Sequence, residues 1–415
     1  MHKFITTEEF VYKGRPCAGI PLLCDSERIP ASVTNNYLLY LVFERGSANS
    51  PTTWDNYANA LLDYFSWLEA NGLEWDEEPR QTQKGKEVSN LALYQSWSQR
   101  DYKKPDGYPL STGTINLRTA CVQGFYKWAR DVAGLIDWLP FITESKAIPQ
   151  RHPDTFAHTH GQIFVESSTL TLPTKKKLPK LLNLDQCKEL MAAPLSRTVK
   201  SMTRLMLSSG LRNQECRTFP RKYVFNPSGL DKRKRIRIEL DPRDLLLKGN
   251  KERVIYVSWQ TMASLYDYTR FGEGVERAKL FEEKTRIEPP MLFLNDKGEP
   301  WNEKGLNHAY RKLWAGFVRH SKKQPPVISF RVTPHMLRHT FATLELYHEA
   351  NAVDRNTGRK KGMGHALAWV RDRLGHSSIQ TTTIYTHCLD IMDDHELNEY
   401  QQELDQMMSG EAHGA

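Results

Sequence analysis

Six side chains in the second half of this 415-residue chain have the types needed to move a phosphoryl group: Arg212, Lys248, His335, Arg338, His376 and Tyr385. Arginine forks match phosphate oxygens in a bidentate way, and two fixed arginines stabilise the charge that builds on a phosphodiester under attack. Lysine can protonate a leaving alkoxide, and histidines can take a nucleophile's proton or hold it in place. A tyrosine hydroxyl ordinarily titrates near pH 10 and needs such help at neutral pH. The set describes phosphoryl transfer through a covalent tyrosyl intermediate, with no metal or other cofactor expected. Each residue also has an ordinary explanation. Arg212 could be a surface arginine, Lys248 a solvated turn residue with Lys251 as a competitor, His376 a helix cap, and Tyr385 a core tyrosine.

Elements must bring these residues together. Asn183 with Gln186 reads as a capping box, and helical spacing then runs through Leu207 to a stop at Gly210. Arg212 follows that stop. A β-rich passage covers 235–240, 245–247 and 254–257. The turn Lys248-Gly249-Asn250-Lys251 is expected to join the last two as a hairpin. Pro334 suits a first helical position, which puts His335 and Arg338 three apart on one helical face. A last helix over 390–408 is expected, acidic on one side and apolar on the other through Leu397, Tyr400, Leu404, Met407 and Met408.

The first half reads as a helical bundle over 31–145. Thr52 or Thr53 can cap a helix in which Trp54, Tyr57, Leu61, Leu62, Phe65 and Leu68 recur, and Gly72 can end it. A second helix follows Ser111, and shorter ones fall near 37–43 and 88–97. Their aromatic stripes suit a core better than a base-stacking platform. Residues 1–30 hold short β-like runs that punctuate rather than form a domain. Residues 146–180, rich in Pro, Thr, His and Lys, read as a linker. The expected fold is mainly α with a small antiparallel β-sheet. Its order is an extension (1–30), a helical bundle (31–145), a linker (146–180), a catalytic domain (181–389) and an acidic tail (390–415).

The net charge of +8, from 57 basic and 49 acidic residues, favours a polyanionic partner. The six cysteines form no C-x-x-C pair, which suits a reducing compartment. No signal peptide or membrane span is evident, so a cytoplasmic location is expected. A zinc site on His335 and His339 is disfavoured. Met336 stands where a zinc protease needs glutamate, and Arg338 would put positive charge beside the metal.

Taken in order, S-G-L-R-x-x-E, K-G-N-K-E-R, H-x-L-R-H-T-F-A-T, L-G-H-S-S and I-Y-T-H resemble the tyrosine recombinase (phage integrase) family over about 178–389. The resemblance implies an N-terminal helical core-binding bundle and a C-terminal catalytic domain, closed as a C-shaped clamp on double-stranded DNA. It implies Tyr385 as nucleophile, leaving a 3′-phosphotyrosyl bond and a free 5′-hydroxyl. Arg212 and Arg338 become the phosphate clamp, Lys248 the general acid, His335 the acid/base partner and His376 a hydrogen-bond donor to phosphate. Glu215 becomes a support on the His335 side. Helix starts at Thr52, Thr53, Ser111, Thr112 and Thr114, with Arg118 beyond, are candidate DNA contacts; the hydroxyls equally suit plain N-capping.

The family also implies a homotetramer on synapsed sites. There the last helix docks on a neighbouring protomer, with packing onto its own chain as the alternative. Accessory DNA-bending proteins and association with a bacterial nucleoid belong to the same picture. Two departures stand out: the polar stretch 347–366, and the lack of a recognisable arm-binding domain in 1–30. They resemble recombinases of transposons and integrative elements, and imply integration or excision of a mobile element. The alternatives are a hairpin-forming resolvase, a type IB topoisomerase-like strand transferase, and a catalytically silent DNA-binding regulator.

Overall fold

The structure, a computed structural model, describes residues 1–45, 50–81, 87–147, 164–174, 178–320, 327–354 and 357–389. It is mainly helical, and every sheet among the described residues is a two-stranded antiparallel pair. The chain divides into two compact units, 1–176 and 177–415. None of the described helices is long and apolar enough to cross a membrane.

The first unit opens with β1 (His2–Ile5) and β2 (Pro21–Cys24), paired from His2↔Cys24 to Ile5↔Pro21. These strands do more than punctuate, because Ile20, Leu22 and Leu23 are buried among the helices that follow. Those are α1 (Ser32–Phe43), α2 (Pro51–Asn71), α3 (Asn90–Arg100) and α4 (Thr112–Asp131). Ser50, rather than Thr52 or Thr53, caps α2. Its hydroxyl accepts the Thr53 N–H at 3.2 Å, and Pro51 takes the first helical position, where no N–H partner exists. The aromatic stripes are core. Tyr37, Tyr64, Tyr94, Phe125 and Tyr126 are fully buried, and the Tyr64 and Tyr126 hydroxyls meet at 2.7 Å.

Part of the expected linker is structured. β3 (Thr143–Ala147) pairs with β4 (Phe164–Ser168), and Leu170 packs on the bundle core. The Asn116 amide donates to the Leu172 carbonyl at 2.8 Å and accepts its N–H at 3.0 Å. Composition marked this backbone as loop, yet strand pairing and one polar side chain satisfy it. Lys175, Lys176 and Lys177 lie outside the described residues.

The second unit begins with α5 (Leu184–Ala192), whose Asn183–Gln186 capping box forms in full, then α6 (Arg197–Ser209) and α7 (Asn213–Arg217). β5 (Ile236–Leu240) pairs with β6 (Arg253–Val257), so the expected hairpin partner is corrected: β6 does not pair with 245–247. Leu245 and Leu247 are buried while Leu246 is exposed, an alternation that mimics a strand. Ile236, Ile238 and Leu240 already fill that place beside β6. Then come α8 (Trp259–Arg270), α9 (Glu273–Thr285), α10 (Gly305–His320), α11 (Pro334–Asn351) and α12 (Gly362–Leu374). Short turns α13 (Ile379–Thr382) and α14 (Thr386–Leu389) flank Tyr385. Of the polar stretch 347–366, the described residues form the end of α11, the Val353↔Lys360 bridge and the start of α12. The expected helix 390–408 lies outside the described residues.

Candidate active site

Two chain reversals meet at the start of α11. α6 stops at Gly210 with φ 66°, and a Cβ there would lie 2.3 Å from Phe341 Cδ1, so glycine alone permits this reversal against α11. α12 stops at Gly375, also left-handed at φ 62°. Arg338, 2% exposed on the first turns of α11, joins the two. Its Nη1 donates to the Gly210 carbonyl at 2.6 Å and its Nη2 to the Leu374 carbonyl at 2.7 Å. One guanidinium therefore fixes the segments that deliver Arg212 and His376. Burial, and then the charge of Arg212, press the Arg338 pKa downward, but a guanidinium holds its proton at neutral pH.

Glu215 anchors the other side. Its carboxylate, 1% exposed, accepts the Arg212 N–H at 2.7 Å, Arg212 Nη1 at 2.9 Å and both Nη groups of Arg253. Burial alone would raise its pKa. The hydrogen bonds and charge of Arg253, joined by the Arg212 N–H, pull it down to about 2. Glu215 thus holds two arginines, Arg212 and Arg253, in place. Arg212 also donates to the Gly375 carbonyl at 3.3 Å, which ties the S-G-L-R and L-G-H motifs together.

Tyr385 is 2% exposed, its ring in a small apolar cluster with Phe341, Leu346, Val370 and Leu374. Burial pushes its hydroxyl up to about 12, while the Arg338 charge pulls the other way. The His376 ring stacks near-parallel to it (14°, centroids 6.4 Å apart), with Nδ1 bonded to the Thr382 hydroxyl at 3.0 Å. Nδ1 of His339 lies 3.0 Å from the Tyr385 hydroxyl, and His335 packs edge-on against His339 at 4.2 Å. All three imidazoles are depressed, chiefly by burial. The arginine charges add to this at His376, which falls to about 3, and His335 adds to it at His339, which falls to about 4. His335 feels burial, Arg338, Arg212 and then Lys248. Lys248 sits on an exposed turn, and its charge rather than that of Lys251 reaches His335. The structure thus gathers Arg212, Arg338, His335, His376 and Tyr385, with Lys248 at the rim.

Sequence reasoning passed over Arg253 and weighed His339 only as a disfavoured zinc ligand. Both stand inside the motifs K-G-N-K-E-R and H-x-L-R-H, but spacing offered no way to see what they touch. In the first unit, Ser111 caps α4, and the Thr53 and Thr114 hydroxyls bond the Ser50 and Ser111 hydroxyls, each at 2.8 Å. Thr52 is exposed and Thr112 half-buried. Arg118 is held by Asp63 at 2.6 Å and lies over the Tyr102 ring.

A buried tyrosine beside two arginines and two histidines, with a third histidine packed on one of these, on a mainly helical chain of two units, has the composition of a tyrosine recombinase site. Residues 174–354 match the model of the phage integrase family, a span that holds Arg212, Lys248, His335 and Arg338. Over that span the chain carries a domain similar to the phage integrase family, and the relatives it resembles are tyrosine recombinases. It is 27% identical over 265 residues to tyrosine recombinase XerC of Halalkalibacterium halodurans, covering 62% of this chain and 70% of that one. It is 24% identical over 366 residues to tyrosine recombinase XerC of Bacillus subtilis, covering 85% and 90%. Its fold is similar to that of the Tn1549 transposon integrase in complex with a circular intermediate DNA, at TM-score 0.51 and 15% identity over 85% of this chain and 93% of that one.

Proposed function

We propose that this tyrosine recombinase cleaves and rejoins double-stranded DNA at specific sites through a 3′-phosphotyrosyl bond to Tyr385, in the integration or excision of a mobile element. What supports the reading above all is the company of Tyr385: Arg212, Arg338, His335 and His376, brought from three separate segments to the tyrosine's neighbourhood. In this reading a scissile phosphate lies between Arg212 and Arg338, whose remaining N–H groups face its nonbridging oxygens. Tyr385 attacks phosphorus, Lys248 protonates the leaving 5′-oxygen, and His376 donates to the phosphate. The phosphotyrosyl link keeps the energy of the broken bond, so rejoining needs no nucleotide. The mobile-element part leans on the fold shared with a transposon integrase that is itself in complex with circular intermediate DNA. Assembly as a tetramer through residues 390–415, and help from DNA-bending proteins, complete the proposal.

The test is covalent trapping on nicked duplexes that carry the sequences flanking the gene itself. An adduct that maps to Tyr385 and survives denaturation supports the reading. Specific binding without an adduct would leave a DNA-binding regulator. Cleavage and resealing without a four-protomer synapse would leave a topoisomerase-like or hairpin-forming strand transferase.

A further inference from the structure

Three histidines belong to this site, and they are not equivalent. His376 lies face to face with the tyrosine ring, and its Nδ1 is engaged by Thr382. His335 packs on His339 rather than on the tyrosine. His339 alone of the three has a hydrogen bond to the Tyr385 hydroxyl in the described structure, through Nδ1 at 3.0 Å. We infer that His339 is the catalytic base that receives the Tyr385 proton, a role that rests on the phosphotyrosyl reading above.

Several observations converge on this. His339 is on α11, one residue beyond Arg338, so the helix that fixes the phosphate clamp also fixes the base. Its ring is half-buried and wedged between His335 and the Tyr385 ring, at centroid distances of 4.2 and 5.6 Å, which holds Nδ1 on the hydroxyl. Burial and neighbouring positive charge keep the imidazole neutral at pH 7, so Nδ1 can offer a lone pair with the ring proton on Nε2. Burial raises the Tyr385 hydroxyl and lowers His339, which opposes proton transfer between them. A phosphate between Arg212 and Arg338 changes this balance. Its negative charge offsets the arginines, raises His339, and grows as the phosphorane forms.

The step balances. A Tyr385 oxygen lone pair forms the O–P bond, and the hydroxyl proton passes to Nδ1, giving an imidazolium. The bond from phosphorus to the 5′-oxygen breaks with its electron pair on oxygen, which takes a proton from Lys248. Rejoining runs the same transfers backward, and His339 returns the proton to Tyr385.

The experiment measures single-turnover cleavage by the full-length chain on the nicked duplex, with oxygen or sulfur at the bridging 5′ position, from pH 6 to 10. A wild-type adduct at Tyr385 is the control; its absence would sink the phosphotyrosyl reading itself. The His339→Ala variant, checked for wild-type DNA binding, is expected to cleave roughly 100-fold slower or worse at pH 7. Its rate should climb tenfold per pH unit as hydroxide replaces the base. Sulfur, a leaving group that needs no acid, should not restore it. His339→Asn fills the site and keeps a hydrogen-bond acceptor without basicity, and it should be equally slow. Three results would each overturn the assignment: His339→Ala within about fivefold of wild type, His339→Ala rescued by sulfur, or His339→Asn as fast as wild type. The last would make His339 a positioning residue.

Discussion

Glu215 and Arg253 form the most buried ion pair of the site, with side chains 1% and 6% exposed, and Arg253→Met puts a number on it. The methionine fills much of the same space but leaves the carboxylate two of its four donors, the Arg212 N–H and Arg212 Nη1. Breaking a buried pair costs about 3–5 kcal/mol, and the remaining donors place this case at the low end. The pKa of Glu215 gives the same scale. A drop from 4.5 to about 2 corresponds to about 3 kcal/mol of preference for the ionised form in the folded state. Because the folded pKa is depressed, this stability is present above the unfolded value of 4.5 and is lost as pH falls toward 2. In Arg253→Met the folded pKa rises toward the unfolded one and the dependence vanishes. The variant should therefore be less stable by about 3 kcal/mol at pH 7.5, and the gap should shrink to about 1 kcal/mol near pH 3. Hydrogen exchange of α6 and α7 peptides in the full-length protein, across a denaturant series, reads both values. A gap under 1 kcal/mol at pH 7.5, or one that stays constant with pH, would refute the shared-carboxylate account.

Four further outcomes follow from the site. Tyr385→Phe should bind its DNA like wild type in a mobility-shift assay yet form no covalent adduct on a denaturing gel. Arg212→Ala should slow cleavage by roughly 100- to 1,000-fold, since it removes one fixed donor from the charge that develops on phosphate; retained cleavage would exclude it from the clamp. Gly210→Ala introduces a left-handed residue and a methyl group on Phe341, at a combined cost of about 2–5 kcal/mol. Its melting temperature should fall on the order of 10 °C. His376 is held neutral with a folded pKa of about 3, so the unfolded chain binds the extra proton below about 6.5 and stability falls as pH drops. His376→Asn should flatten part of that decline between pH 6.5 and 4 in acid-unfolding curves.

The elements of this chain were legible where a local rule decides them. The Asn183–Gln186 capping box, the glycine stops at Gly72 and Gly210, and Pro334 at a helix start each form as the sequence states. Helical spacing of aromatics marked the core of the first unit for the same reason: a 3.6-residue period leaves those rings one side to face. Legibility failed where a choice between partners was needed. Leu245 to Leu247 alternates like a strand but has no place in the pair that β5 and β6 complete. Residues 164–172 look like loop until β3 and Asn116 supply their hydrogen bonds.

The sequence by itself determined a candidate inventory, two arginines, a lysine, two histidines and a tyrosine in order, and the chemistry such side chains are able to do. Residue type sets charge, fork geometry and nucleophilicity, and these survive in the unfolded chain. Only the tertiary structure decided the pairings. It placed Glu215 between Arg212 and Arg253, made Arg338 the fastener of the Gly210 and Leu374 carbonyls, and put His339 rather than His335 on the Tyr385 hydroxyl. These contacts join residues as many as 128 positions apart. Their pKa shifts arise from burial and from neighbours that exist only once α6, α11 and α12 have packed, so no local pattern could have carried them.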